Sequence, residues 1–413
     1  QAGVGADGLE IALAWPALTE PNLMAEALYR ANKAQSWEAF RDAMRLANAP
    51  QQNIFYADRA GRIGFIAPAL VPVRAAHDGR WPIAGWNRER IWTGFADFDD
   101  LPQAVDPFEG YIANGNNRVV GPDHPVLIAA DHVAHYRAER IIDMITASTP
   151  GHDLDDSARI QLDTLSLMAQ DLAPMLVERA RPADETETAM VNLLRDWDGD
   201  MLPNRPEPTI FSTWLAYLQM RLAADDLGEF YEIADSPEPY FLRDALNGRT
   251  DWCDDSGTEA LETCADQVDA ALADAAAFLD DALGDDPLEW RWGALHRATF
   301  AHPVLGRAPV INLVLGKVAV ETGGGDHTIS RGSFYGGASA EDGPSFAHRH
   351  GAGLRALFDL ADIDRSRFMI GTGQSGDPLS PHFDDLTARW RDGRWMTLSP
   401  ADFANAPTFI LTP

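Results

Sequence analysis

Cysteine is almost missing from this chain. Cys253 and Cys264 are the two among 413 residues. A lone pair excludes a disulfide-dense scaffold and a closed four-cysteine zinc site. Two readings stay open. One is a pair of free thiols, with Cys264 on the apolar face of a helix. The other is a single bridge of the kind that persists in an oxidising compartment. Positive charge is scarce as well, with 33 Lys and Arg against 63 Asp and Glu, a formal charge of −30. So acidic a surface repels phosphate backbones and anionic lipid, which excludes nucleic acid and membrane surfaces as expected partners. The acidic residues lie in short scattered clusters, around 97–100, 184–187 and 280–286, as on a solvated surface. Long apolar runs are absent too, and nothing approaches the roughly 18 residues of a membrane-spanning helix. What the chain does have is 46% apolar residues, ample for a large core.

The patterning is mixed. Residues 10–15 read as a strand, and 22–32 and 36–47 as helices, the second opened by Ser36 with Glu38 close behind. Residues 52–65 read as a hairpin whose turn carries Asp58 and Gly61. A Pro, Gly and Trp-rich stretch follows. Helical periodicity then dominates, over 133–147, 155–172, 185–197, 210–223 and 258–283. In the last, Leu261, Ala265, Val268, Leu272, Ala275 and Leu279 form one stripe, and Gly284 stands where a C-terminal cap belongs. Short strands return from 308 onward, with a late helix over 381–390. There is no internal repeat and no long linker.

The chemistry concentrates in Gly110-Tyr111-Ile112-Ala113-Asn114-Gly115-Asn116-Asn117-Arg118. Three carboxamides fall within four positions. A neutral amide N–H can donate to an oxygen that turns negative during acyl transfer. Asn is also ordinary turn chemistry, because it accepts left-handed backbone and bonds its own main chain.

The surroundings decide between these. Gln52-Asn53-Ile54-Phe55-Tyr56, Val71-Pro72-Val73-Arg74, Asp78-Gly79-Arg80-Trp81-Pro82, Trp92-Thr93-Gly94 and Tyr136-Arg137-Ala138-Glu139-Arg140 flank the asparagines in order. Trp290-Arg291-Trp292-Gly293 with His296, Gly325-Asp326 with Thr328, Gly343-Pro344-Ser345 with Arg355, and Gly373-Gln374-Ser375-Gly376 followed by Ser380-Pro381-His382 complete the set. Order and spacing together resemble the heavy chain of the penicillin acylase family of N-terminal-nucleophile hydrolases, over essentially the whole sequence. The resemblance implies an α+β fold, part of a four-layer αββα core. It implies one family domain over 1–413, with a core segment over 1–150, a largely helical insertion over 151–290 and C-terminal core strands over 291–413.

It also implies roles. Asn116 matches the family's oxyanion-hole asparagine, and Arg137 the arginine that orders the catalytic cluster. For Arg137 a surface ion pair with Glu139 or Asp143 is the structural alternative. Trp15 and Gln52 fall where the family lines the acyl side of its pocket, and plain core is the alternative for Trp15. Gln52 departs from the apolar residue of phenylacetyl-cleaving members. Arg74 is a landmark best read as a structural ion pair. No cofactor is required. Calcium is a family feature of the complete enzyme, yet 126–128, where one further carboxylate is expected, carries none. The family's reaction is amide hydrolysis through an acyl-enzyme on an N-terminal Ser, whose α-amine acts as base. Gln1 cannot serve as that nucleophile. The resemblance therefore implies an upstream light chain and N-terminal heavy-chain part as partners, a small acyl amide as substrate, and a periplasmic or secreted location.

Other readings weigh less. Gly371, Gly373 and Gly376 fit a dinucleotide fingerprint but lead into Asp377-Pro378 instead of a helix. His348 and His350 match no closed zinc spacing, though a metal-dependent hydrolase would be built on them. Glu139 and Asp143 share one helix face without implying chemistry. A non-catalytic acyl-binding relative is the alternative to an enzyme. If the nucleophile lies upstream, the purified 413-residue chain releases no amine from acyl amides, and measurable turnover would overturn that expectation.

Overall fold

The computed structural model describes residues 2–4, 10–87, 91–233, 237–307, 318–334, 338 and 343–399. The chain forms two compact units, Gln1–Val133 with Leu360–Asp362, and Ala134–Asp359 with Ile363–Pro413. Each is described by itself.

In the first unit, β1 (Ala2–Val4) pairs antiparallel with β2 (Glu10–Ala12). Helices α1 (Met24–Ala31) and α2 (Trp37–Met44) follow, and the Ser36 hydroxyl accepts from the Ala39 N–H to cap α2, as its sequence predicts. The expected hairpin is present as β3 (Ile54–Ala57) and β4 (Ile63–Ile66), with Ile54 opposite Ile66. Its turn works as expected: the Asp58 carboxylate accepts from the N–H groups of Ala60 and Arg62, and Gly61 takes φ +88°. β5 (Pro72–Arg74) pairs with β6 (Trp92–Phe95), and β7 (Gln103–Val105) adds a third strand beside β4. Alternation sorts this three-stranded sheet into two faces. Ile54, Tyr56 and Ile66 pack on Ala27, Trp37, Ala43 and Met44 of the helices. Gly64 is required there, because any side chain would collide with the Trp37 indole. The opposite face carries Phe55 and Phe65, with ring centroids 5.5 Å apart, and leaves Phe55 47% exposed.

The second unit opens with a helical assembly: α3 (Tyr136–Ala147), α4 (Leu154–Gln161), α5 (Leu167–Arg179), α6 (Glu185–Arg195), α7 (Glu207–Leu227), α8 (Pro239–Asn247) and α9 (Cys264–Leu283). Its centre is α7 against α9. Ile210, Phe211, Trp214, Leu215, Leu218 and Leu222 pack on Val268, Ala271, Leu272, Ala275 and Leu279, and Trp214 donates to the Val268 carbonyl at 2.9 Å. α7 is buried along most of its length, which is why an apolar helix without a polar stripe is stable there.

Several boundaries differ from expectation. The helix expected over 155–172 is two, because Ser166 caps a new one at Ala169 and its own N–H bonds Gly199. The helix expected from 258 begins at Cys264. There Thr263 and Asp266 form a reciprocal capping box, so Leu261 lies outside it and exposed. Gly284 ends it at φ +94°, as expected. Cys253 and Cys264 are joined as a disulfide with Cα atoms 4.8 Å apart, so the free-thiol reading does not hold.

After α10 (Trp292–Leu295), β8 (Arg297–Phe300) pairs with β9 (Val318–Glu321), and β10 (Gly332–Ser333) with β11 (His350–Gly351). The strand expected from residue 308 lies outside the described residues until Val318. A last sheet orders β12 (Leu354–Leu357), β13 (Arg367–Ile370) and β14 (Met396–Thr397). The late helix is α11 (Thr387–Arg391) alone. Residues before it form successive turns, and the Gly373 and Ser375 N–H groups donate to the carbonyls of Phe383 and His382.

Trp214→Ala is expected to lower the unfolding free energy by about 3–5 kcal/mol in urea denaturation, whereas Leu261→Ala changes it by less than about 0.5 kcal/mol. Equal losses would contradict the helix start at Cys264.

Candidate active site

The asparagine loop is a local hydrogen-bond network. Asp106, at φ 45°, accepts from the Ile63 N–H and the Arg62 guanidinium, fixing the end of β7 to β4. Gly110, at φ +75°, turns the chain into the loop. The Asn114 side-chain oxygen then accepts from the Asn116 N–H at 3.0 Å and from the Asn53 amide at 3.2 Å. The Asn117 oxygen accepts from the Gly115 N–H at 3.1 Å and from the Asn114 amide at 3.3 Å. Asn114 and Asn117 thus perform turn chemistry. Asn116 is the residue this network holds at φ 65°, a left-handed conformation that Asn tolerates better than other side chains. Its side chain is exposed, on a loop whose Gly115 is buried.

Gln52 sits beside this loop, because its neighbour Asn53 makes the bond to Asn114. The Gln52 amide donates to the Gln51 carbonyl at 2.9 Å. Trp15 precedes a 3-10 turn over Pro16–Leu18, is 51% exposed, and has exposed Ile11, Leu13 and Leu18 nearby in sequence. It is not core. Among the described residues Trp15 makes no hydrogen bond or ring contact with the Gln52 or Asn116 loops. Among the described residues Arg74 makes no ion pair. Its guanidinium lies 5.9 Å from the Trp92 ring, its partner in the β5–β6 register.

Arg137 belongs to the second unit, on the first turn of α3, and is 9% exposed. This rules out the surface ion pair: Glu139 bonds His135 instead, at 3.0 Å. Burial and the nearby Arg331 push Arg137 down to about 10, against the pull of Asp326. Burial raises the Asp326 carboxyl, opposed by a hydrogen bond to Ser333, by Arg331, by the Phe334 N–H and by Arg137. His327, against the Tyr136 ring at 5.9 Å, is lowered to about 4 by burial and these two arginines. Asp326, His327 and Arg331 were invisible as partners in sequence. Only Gly325-Asp326 carried a signal, as a landmark without a role.

His348 is committed to packing. It stacks on His296 at 5.2 Å and its Nδ1 bonds the Thr322 hydroxyl at 2.9 Å, while His296 stacks on Trp292 at 4.6 Å. Burial lowers both, to about 3 for His296 and about 4 for His348. As for calcium, 126–128 supplies backbone and apolar side chains, with Val126 bonded to the His124 ring. Among the described residues no cluster of three carboxylate, His or Cys side chains could hold a metal.

A family model described as penicillin amidase matches residues 3–403. The chain belongs to the penicillin amidase family. It is 30% identical over 402 residues to the penicillin acylase 2 proenzyme of Pseudomonas sp. (strain SE83), covering 95% of this chain and 49% of that protein. It is 27% identical over 420 residues to the acyl-homoserine lactone acylase QuiP of Pseudomonas fluorescens (strain Pf0-1), covering 96% and 49%. It spans about half the length of these curated relatives. Among solved structures it shares the fold of a thermostable penicillin G acylase from Alcaligenes faecalis, with TM-score 0.60 and 20% identity over 94% of this chain and 72% of that one. The expected fold class, an N-terminal-nucleophile hydrolase fold of mixed helix and sheet, is thus present. In this penicillin amidase chain, buried Trp290, Trp292 and His296 account for one family landmark as packing.

Three imidazoles held below their usual value dictate an acid response. Unfolding lets them take up protons, so stability is full above about pH 6.5 and falls as pH drops toward 4, each contributing up to about 1.4 kcal/mol per pH unit. Urea midpoints measured between pH 7 and 4.5 should decline, and less steeply in His348→Gln. A flat profile would refute the buried neutral imidazoles.

Proposed function

We propose that the protein containing this chain is an amidohydrolase that removes the acyl group from a β-lactam side chain or an N-acyl-homoserine lactone. The observation that carries this is Asn116, held left-handed and exposed by its neighbours' side chains, in a family whose curated relatives are named as acylases. A hydroxyl nucleophile supplied by an upstream residue adds to the amide carbonyl, and its proton passes to the α-amine of the same residue. The carbonyl oxygen becomes an oxyanion to which the Asn116 amide donates. Collapse expels the amine with that proton, and water then releases the carboxylic acid. A left-handed Asn on a braced loop suits this, because the donor is fixed before charge develops. Arg137 is the positioning residue: a buried guanidinium opposed by Asp326 keeps one orientation. Trp15 and Gln52 serve the acyl side, Trp15 through an exposed indole that an acyl chain would cover.

The partner polypeptide of this proposal is an upstream light chain with the N-terminal part of the heavy chain. Exposed apolar side chains of the first unit support it, Phe55, Trp15 and the fully exposed Phe108 among them. The Cys253–Cys264 bridge supports a periplasmic or secreted location. No helix among the described residues is long and apolar enough to cross a membrane.

In the complete processed protein, Asn116→Ala is expected to lower kcat by about 10²–10³ with KM and melting temperature little changed. An unchanged kcat on both penicillin G and a long-chain acyl-homoserine lactone would remove the assignment. Asn114→Ala loosens the bracing of the same donor, so a smaller fall in kcat is expected.

A further inference from the structure

The second unit contains a built cleft that none of Trp15, Gln52, Asn116 or Arg137 lines. It is about 930 Å³, within the range of small-molecule sites, and lies among α11, β13, β14 and residues 374–386. Phe368, Leu386 and Trp395 supply apolar walls, and Arg389, His382 and Ser380 a polar side. The frame is tightly bonded. Gly373 and Ser375 donate to the carbonyls of Phe383 and His382 at 2.9 and 3.0 Å, and His382 Nδ1 bonds Asp385 at 2.9 Å. Any side chain at Gly373 would strike the His382 carbonyl and the Asp385 carboxylate. The glycine run that mimics a nucleotide fingerprint therefore serves this frame.

Ser, His and Asp meet here without forming a triad. The Ser380 hydroxyl accepts from the His382 N–H at 3.1 Å, and the Ser375 hydroxyl from the Asp377 N–H at 3.1 Å. Among the described residues no hydroxyl bonds His382 Nε2, so no base contacts a nucleophile. The arrangement is one for holding a ligand, not for attacking it.

Arg389 says which ligand. Its neighbours Arg391 and Arg394 share Asp392 at 2.6 and 3.1 Å. Arg389, partly buried, has no carboxylate within ion-pair distance among the described residues. Its guanidinium donates to the Trp395 carbonyl at 3.4 Å. Asp385, the acid on the rim, is engaged by His382. A cation with no counter-ion among the described residues, facing aromatic and aliphatic walls in so acidic a protein, fits an anion with an apolar body. We propose that this cleft binds an organic carboxylate, its head paired with Arg389 and its body against Phe368, Leu386 and Trp395. The assignment stands on the cleft and does not need the amidase reading.

The test is photolabelling of the complete processed protein with a diazirine-bearing medium-chain fatty acid and with its primary amide, followed by peptide mapping. The acid is expected to label peptides containing Phe368 or Trp395, the amide at least about tenfold less, and Arg389→Gln to abolish most of the acid's labelling. Labelling that misses these peptides, or that is equal for acid and amide or for wild type and Arg389→Gln, would overturn the proposal. If Arg389→Gln fails to fold, Arg389→Lys keeps the charge but not the fork, and a partial loss is expected of it. Because labelling needs no turnover, its outcome is separate from that of the amidase assays.

Discussion

A three-stranded sheet has two faces, and the helices α1 and α2 cover one. Everything distinctive about the first unit follows from that constraint. Strand alternation sends Ile54, Tyr56 and Ile66 into the helices and Phe55 to the other side, where nothing in the described chain covers it fully. The loops leaving that sheet carry the asparagines and Gln52. Loops of this kind inherit the rigidity of the paired strands. Burial on one side and availability on the other are thus a single property of the strand register.

The second unit solves a different problem, keeping charge away from water. Arg137 is buried beside Asp326 and Arg331, so two like charges oppose one carboxylate and the balance is poor for any one pair. Taking such groups out of water is costly, and removing one partner would leave the others worse off. Groups bound together in this way resist changes of orientation. The stacked His296 and His348 illustrate the same economy with neutral rings, which pack like aromatics as long as they stay unprotonated.

Much of this was legible in sequence because it rests on local rules. Ser36 caps a helix, Asp58 and Gly61 close a hairpin, and Gly284 ends α9 through contacts within a few residues. The asparagine loop was legible as a place but not in its detail: Asn114 and Asn117 are chemically the same as Asn116, and only geometry shows that the side chains of two brace the loop while Asn116 takes its left-handed position. What sequence could not show depends on distant partners. Ser166 breaks a helix because Gly199 is available to its N–H. Arg74 meets an indole because β5 and β6 bring it opposite Trp92. Asp326 is 189 positions from Arg137, and no periodicity connects them.

The bracing of the loop has a further chemical consequence. Asn114-Gly115 is the dipeptide most prone to cyclise, the glycine nitrogen attacking the asparagine carbonyl to give a succinimide and then isoaspartate. Here that nitrogen is occupied by the Asn117 oxygen, and the Asn114 carboxamide is engaged at both ends. The hydrogen bonds that shape the loop thereby also slow succinimide formation at this Asn-Gly pair while the chain stays folded.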